Sequence, residues 1–182
     1  VAALYDLACA FSPRIERTRD AVLFEVGDLG RLYPSERDLA EALSVQAREL
    51  HIAVRLAIAS SKDIAYLRAK TLTPPADTAI IPAGCERAAL AKLPLAAVAV
   101  SPPLAARATA WGLHTLGDLA GLPRSLVATR LGPQGLALHR LASGETSTPL
   151  VPTAPSPEVA EELLLPDGVE GLEPLLFILR GL

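Results

Sequence analysis

The segment RTRDAVLFE, residues 17 to 25, places two carboxylates around the start of an apolar run. Acidic side chains at the mouth of a buried strand can hold metal ions for chemistry. Asp20 and Glu25 are the candidates for this chemistry, but Arg19, beside Asp20, carries the opposite charge. The alternative is that both carboxylates are solvated turn residues or pair with Arg17 and Arg19.

Other kinds of active site find little support in the sequence. His51, His114 and His139 have no partner at the spacing of a nucleophile or of a metal ligand. Cys9 and Cys85 lie far apart without a CxxC spacing, which argues against a zinc site or a disulfide framework. There is no Gly-rich phosphate loop either. The segment at residues 17 to 25, which reads as the turn and second strand of a β-hairpin, therefore remains the main candidate for chemistry.

The elements that must position this hairpin follow an α+β pattern. Ser35, with Asp38 three residues later, is typical of a helix N-cap. The predicted helices are residues 2 to 11, 36 to 50 and 62 to 72, and the predicted strands are residues 14 to 17, 21 to 26, 52 to 59 and 78 to 81. This order indicates an open sheet with helices on one face.

The character of the sequence changes after residue 82. Pro and Gly interrupt a series of predicted short helices, at residues 85 to 91, 104 to 111, 115 to 120, 123 to 131 and 133 to 142. Thr115 and Asp118 resemble a capping box. Residues 83 to 146 carry six Lys or Arg against three Asp or Glu, although the whole chain has a net charge of -3. Only this segment is basic, as a nucleic-acid-binding surface would be.

Length and composition fit one ordinary domain or two small ones, since 51% of the 182 residues are hydrophobic. The longest apolar stretches, such as residues 93 to 100, are shorter than the roughly 18 residues of a membrane span. No membrane segment is therefore predicted. Because the chain starts at Val1 and contains no Met, we expect it to be a piece of a longer protein.

Three segments together resemble the Y-family, UmuC-like translesion DNA polymerases. RTRDAVLFEVGD is similar to their second palm motif, IASSKDIAYLRAKTLTP to their helix that leads to Lys-Pro, and WGLHTLGDLAGLP to part of their helix-hairpin-helix thumb. Order and spacing match over residues 4 to 146. The tail LLLPDGVEGLEPLLFIL resembles the start of the last domain of ImuB-type proteins, polymerase-like subunits of a bacterial mutagenesis complex.

The resemblance puts the family's metal-binding Asp-Glu pair on Arg19 and Asp20. Two-metal phosphoryl transfer needs carboxylates that bring two ions to within about 4 Å. At about 6 Å and an effective dielectric constant of about 20, an arginine repels one divalent ion by about 5 kcal/mol. We therefore predict that Asp20 and Glu25 are remnants, that no metal binds, that no cofactor is used where the family uses Mg²⁺, and that the chain is not an enzyme.

The nucleotide site is expected to be a remnant as well. The family's lysine before proline, which holds the incoming triphosphate, falls on Thr73, which has no charge. Lys62 matches the family's lysine near the start of the same helix, with an ordinary solvated lysine as the alternative. The family's first strand, which carries a further carboxylate, is expected upstream of Val1.

For the thumb, the resemblance implies a partly degraded phosphate site. The first Gly-x-Gly turn falls on residues 99 to 101, before two prolines that have no N–H to give. The second turn of the helix-hairpin-helix motif is preserved at Gly112, Thr115, Leu116 and Gly117. The predicted DNA contacts are Arg107, Gly112, Thr115, Leu116, Gly117, Arg124 and Arg130, with ordinary solvated side chains as the alternative for the arginines. We expect DNA binding to be weak and confined to the backbone.

These inferences predict a palm-like α+β domain at residues 1 to 82, a helix-hairpin-helix thumb at 83 to 146, and a linker with the truncated start of a little-finger domain at 147 to 182. The predicted function is that of a non-catalytic accessory protein in SOS mutagenic translesion synthesis, which bridges the sliding clamp and an error-prone polymerase. An active translesion polymerase and a plain DNA-binding module are the alternatives. A cytoplasmic bacterial protein, associated with the nucleoid when active, is expected.

Overall fold

The computed structural model describes residues 2 to 98, 100 to 146 and 148 to 153. Within these ranges the helices are α1 Ala2–Cys9, α2 Glu36–Glu49, α3 Lys62–Thr71, α4 Glu86–Leu90, α5 Pro102–Ala110, α6 Leu116–Ala120 and α7 Arg124–Ala142. The strands are β1 Ile15–Arg17, β2 Val22–Phe24, β3 Leu56–Ile58 and β4 Thr78–Ile80. Two short 3-10 helices, Gly27–Arg31 and Leu95–Ala97, complete the described elements.

The strands form two pairs. β1 is antiparallel to β2, with Ile15 opposite Phe24, and β3 is parallel to β4, with Leu56 opposite Thr78. The α+β class is thus confirmed, but the expected open sheet is divided in the described residues, because β2 and β3 do not pair with each other. Instead, a groove of about 920 Å³ is lined by both strands.

Local sequence signals set the helix starts. The Ser35 hydroxyl oxygen accepts a hydrogen bond from the Asp38 N–H at 3.2 Å, which caps α2 as predicted. At α6 the Thr115 side chain accepts from the Asp118 N–H, while Asp118 Oδ2 accepts from the Thr115 N–H at 2.8 Å. Both bonds of a capping box are therefore present.

Some boundaries differ from the sequence prediction. The predicted strand at residues 52 to 59 is only Leu56–Ile58. The two helices predicted at 123 to 131 and 133 to 142 lie within α7 and are separated, as predicted, at Gly132, whose φ of 69° and ψ of -166° are not helical. Glycine can adopt this backbone conformation without strain, and Pro133 has no N–H to donate, so the Gly-Pro pair interrupts the helix at the predicted boundary.

Two hydrophobic clusters hold the elements together. One lies between α2 and β3, around Leu43 and Ile58. The other begins on α3, at Ile64 and Leu67, and continues through the thumb helices to α7. This second core crosses residue 82, so the palm and thumb segments share apolar packing, and the domain division stays a prediction. Among the described residues, no helix combines the length and the hydropathy that crossing a membrane requires.

Candidate active site

The hairpin turn places Arg19 and Asp20 at its tip. Thr18 closes the turn, since its N–H donates to the Ala21 carbonyl at 2.9 Å and its side-chain oxygen accepts from the Ala21 N–H at 3.0 Å. The two charged residues between them are exposed. This hydrogen-bonded turn therefore presents one carboxylate and one guanidinium to solvent at the edge of the groove.

Tyr66 orients the Asp20 carboxylate. The Tyr66 hydroxyl lies 2.9 Å from Asp20 Oδ1 and 3.1 Å from Oδ2. Tyr66 is on α3, which packs against β2, and the Lys70 ammonium lies 5.5 Å from the centre of its ring. A carboxylate has about four lone-pair positions, so Asp20 can accept this bond and still bind a further partner.

Lys62 is held by a second hairpin carboxylate. Its ammonium nitrogen lies 2.6 Å from Glu16 Oε2, and the two side chains are only 13% and 19% exposed. The Val151 N–H donates to the same oxygen at 2.8 Å. The hydrogen bond from Lys62 and then that from Val151 lower the pKa of Glu16, so this carboxylate is ionised at neutral pH.

Sequence reasoning missed both Tyr66 and Glu16. Lys62, Tyr66 and Lys70 are spaced four residues apart on α3 and share one helix face, and this spacing was the available signal. Glu16 gave no comparable signal. The hydrogen bonds that join α3 to the hairpin span 46 residues of sequence, a separation over which no local pattern operates.

The other predicted residues lie at varying distance from this site. Glu25 pairs with Arg14 at 2.6 Å, in a contact that is more than half exposed and so contributes little to stability. Glu25, Lys62 and Asp20 all line the groove, whereas Thr73 is exposed and does not. The structure thus brings together three of the predicted hairpin and nucleotide positions and leaves Thr73 apart.

The exposure of Arg19 changes the electrostatic argument against metal binding. No ion pair formed within the described ranges involves Arg19. With the dielectric constant of water, about 80, its repulsion of a divalent ion at about 6 Å falls to about 1.4 kcal/mol, and salt screens it further. The value of about 5 kcal/mol used an effective dielectric constant of about 20. Arg19 alone is therefore insufficient to exclude a metal ion.

Asp20 fits Mg²⁺ as a single oxygen ligand. Mg²⁺ prefers carboxylate, phosphate and water oxygens, and it is commonly held by one or two carboxylates together with substrate phosphates. Across residues 2 to 98, 100 to 146 and 148 to 153, no three His, Cys, Asp or Glu side chains form a group that could hold a metal ion. The described residues thus supply one ligand, not a complete site.

Several predicted DNA contacts in the thumb use their N–H groups within the protein. The Leu116 N–H donates to Leu93, and the Gly117 N–H donates to Ala91, at 2.9 and 3.0 Å. A Cβ at Gly117 would lie 2.7 Å from the Ala91 carbonyl oxygen, so this close approach requires glycine. Gly112 has a φ of 69°. Together with the Thr115 cap, these residues build the turn, and their role as DNA contacts stays a prediction.

The first thumb turn is only partly visible, because residue 99 is outside the described residues. Pro102 and Pro103 form the first turn of α5. The lack of an N–H group at these positions removes no hydrogen bond from the helix, since the first N–H groups of a helix have no partner within it. The prolines are therefore explained as a helix start.

Two of the predicted arginines are neighbours. Arg107 Nη1 lies 3.5 Å from the Arg130 carbonyl oxygen, and both residues are exposed. Arg124 instead lies 3.6 Å from Glu145 Oε2, which offsets its charge. Arg107 and Arg130 are thus the better-placed pair for a phosphate backbone.

Replacing Arg107 with alanine is expected to weaken DNA binding and to reduce the slope of log affinity against log salt concentration by about one, because one phosphate contact is lost. Fluorescence anisotropy with labelled duplex DNA at several salt concentrations measures both quantities. Arg37→Ala, at an exposed position on α2, is the matched control. An unchanged salt slope for Arg107→Ala would remove this residue from the predicted contacts.

Comparison with known proteins shows which proteins this chain is similar to. No family model matches it. It is 31% identical to the DNA polymerase IV of Caulobacter vibrioides over 129 residues, which are 70% of this chain and 32% of that protein. It is 32% identical to the protein ImuB of the same species over 131 residues, 71% of this chain and 28% of that protein. The chain spans less than a third of the length of either relative.

The fold agrees with these matches. The crystal structure of DinB from Sulfolobus solfataricus superposes with a TM-score of 0.65 at 19% identity, covering 82% of this chain and 45% of that one. This chain is a relative of the Y-family DNA polymerases. The predicted resemblance and the palm-like α+β class are confirmed. Relatives named DNA polymerase IV and ImuB match equally well, so the Y-family assignment is firmer than the choice between these two types.

Two predictions from the sequence are wrong. The prediction that the chain is not an enzyme is overturned by its match to a DNA polymerase. The prediction that no cofactor is used fails with it, because Y-family polymerases use a divalent metal, which points to Mg²⁺. The repulsion from Arg19 was calculated with an effective dielectric constant of about 20, and it is smaller when the exposed side chain is surrounded by solvent.

Proposed function

We propose that this protein is a DNA polymerase that extends primers past damaged template, with the groove beside the hairpin as its active site. One observation carries the proposal: Asp20 stands at the tip of a Y-family palm hairpin, oriented by the Tyr66 hydroxyl at 2.9 Å. The match to a DNA polymerase IV supports the same assignment.

Four residues that line the groove have roles in this proposal. Asp20 would be one ligand of Mg²⁺, which when bound would polarise the reacting phosphate and offset its developing charge. Tyr66 holds the carboxylate in one orientation, so that little reorganisation is needed when the ligand binds. Lys62 and Lys70 are the cations on the same face of α3. A nucleotide phosphate that binds Lys62 has to compete with Glu16, which lies 2.6 Å from it.

The proposal extends to the setting of this activity. The ImuB-type resemblance implies SOS-induced mutagenic synthesis in the bacterial cytoplasm, with the sliding clamp and an error-prone polymerase as partners. The match to ImuB over 71% of the chain supports this setting. Co-elution of the intact protein with the sliding clamp of the same organism in size-exclusion chromatography would test it, and separate elution at micromolar concentrations would argue against it.

Primer extension tests the activity itself. The intact protein is incubated with Mg²⁺, the four nucleotides and a primer annealed to either an undamaged template or one with an abasic site. We expect extension on both templates, and none in the presence of a chelator. No extension on either template with Mg²⁺ or Mn²⁺ would contradict the proposal.

Replacing Tyr66 with phenylalanine is expected to reduce the extension rate several-fold while the fold is kept, because only the hydroxyl that orients Asp20 is removed. The rate of single-nucleotide addition is measured at several Mg²⁺ concentrations. Tyr33→Phe is a matched control, since Tyr33 stacks on Phe11 away from the groove. If the two variants have equal rates, Tyr66 does not position Asp20 for catalysis.

A further inference from the structure

The segment that follows the thumb returns to the outer edge of the hairpin. The Thr153 N–H donates to the Ile15 carbonyl at 2.7 Å, and the Arg17 N–H donates to Thr153 Oγ1 at 2.8 Å. β1 pairs with β2 along its other edge. Thr153 therefore adds to β1 on its free side, in the manner of a short third strand.

One carboxylate joins this segment to the rest of the palm. Glu16 Oε2 accepts from the Val151 N–H at 2.8 Å and from the Lys62 ammonium at 2.6 Å. Hydrogen bonds to a charged acceptor are about twice as strong as those between neutral groups. Because Lys62 belongs to α3, a single side chain of β1 contacts both the returning segment and the helix that carries Tyr66.

The bonds at this edge are made by different groups. The Ile15 carbonyl and the Arg17 N–H are edge groups of β1 that would otherwise face solvent, where an open strand edge invites pairing with other chains. Glu16, which lies between these two residues in the sequence, adds a side-chain bond by accepting from the Val151 N–H. Residues 148 to 150 continue this path by lining the groove. The contact thus has both backbone and side-chain specificity, and chain connectivity alone does not require it.

We propose that residues 148 to 153 form a strap that docks on the outer edge of β1, and that the Glu16–Lys62 pair is its latch. Residue 153 then lies beside the hairpin, close to the groove, and not at the end of α7. The inference does not depend on polymerase activity.

Amide hydrogen exchange of the 182-residue chain, followed by NMR, tests the latch. In the unmodified protein the amides of Arg17, Val151 and Thr153 should be protected. Glu16→Ala should accelerate exchange at Val151 and Thr153 at least about tenfold, since it removes a charge-assisted bond. Lys62→Met should also accelerate hydrogen exchange of the Val151 amide. Glu25→Gln, which changes an exposed hairpin carboxylate paired with Arg14, should leave all three rates unchanged.

Two results would overturn the proposal. One is exchange of Val151 and Thr153 at the rate of an unstructured peptide in the unmodified protein. The other is unchanged protection of both amides in Glu16→Ala. The amides of α2 report whether the variants remain folded. If Glu16→Ala also exposes α2, Thr153→Val decides, because it removes only the acceptor of the Arg17 N–H and should accelerate exchange there.

Discussion

Asp20→Asn is expected to lower the rate of primer extension by the intact protein at least about a hundredfold, the scale seen when one preorganised electrostatic group is lost from an active site. Asparagine has nearly the same shape and can still accept a hydrogen bond from the Tyr66 hydroxyl. What it lacks is the negative charge that would hold a divalent ion. The loss should therefore appear in the rate without a loss of folded structure. Single-turnover addition of one nucleotide measures it.

The control for this variant is Asp28→Asn. Asp28 is an exposed carboxylate close in sequence to the same hairpin, in the short 3-10 helix Gly27–Arg31. Its replacement should leave extension within about twofold of the unmodified rate. If both variants retained the full rate, the reaction would not depend on the hairpin carboxylate, and the assignment of the groove would be wrong.

Leu116→Ala is expected to cost about 3 kcal/mol of unfolding free energy, within the range of about 2 to 5 kcal/mol for buried leucines. Leu116 has no exposed surface, and its N–H donates to the Leu93 carbonyl, so α6 has no simple way to close the cavity. Urea unfolding followed by circular dichroism measures the change. Leu126→Ala, at a position on α7 with 39% exposure, is the control and should cost under about 1 kcal/mol.

Leu116→Ala also separates two roles for this position. Leu116 was predicted from the resemblance as a DNA contact, whereas the structure buries it beneath the turn. A variant that kept its stability but lost DNA affinity would support direct contact. Loss of stability comparable to that of other buried leucines would indicate that Leu116 shapes the turn and that exposed neighbours such as Arg107 bind the DNA.

Features encoded by neighbouring residues could be predicted from the sequence. The Ser35 cap of α2 and the Thr115–Asp118 capping box depend on three-residue spacings, and both are present. The hairpin also follows from local composition, since a charged turn separates two short strands. The interruption at Gly132 between two predicted helices is present as well. Strand ends were less accessible, since the strand predicted at residues 52 to 59 is only Leu56–Ile58.

The candidate site depended on contacts that no local pattern encodes. Tyr66 reaches Asp20 across 46 residues, and Val151 reaches Glu16 across 135. The resemblance places Arg19 at a carboxylate position, which stays a prediction, but the sequence could not give the exposure of its side chain. That exposure sets the effective dielectric constant, and the predicted repulsion falls about fourfold when solvent surrounds the turn.

The most direct test of the account is a crystal structure of the intact protein with primer-template DNA, a non-hydrolysable incoming nucleotide and Mn²⁺. The anomalous signal of Mn²⁺ locates the metal without reliance on activity. The account predicts a peak about 2.1 Å from an Asp20 carboxylate oxygen, with the Arg19 guanidinium turned towards solvent. A complex that contains both DNA and nucleotide but shows no peak beside Asp20 would contradict it.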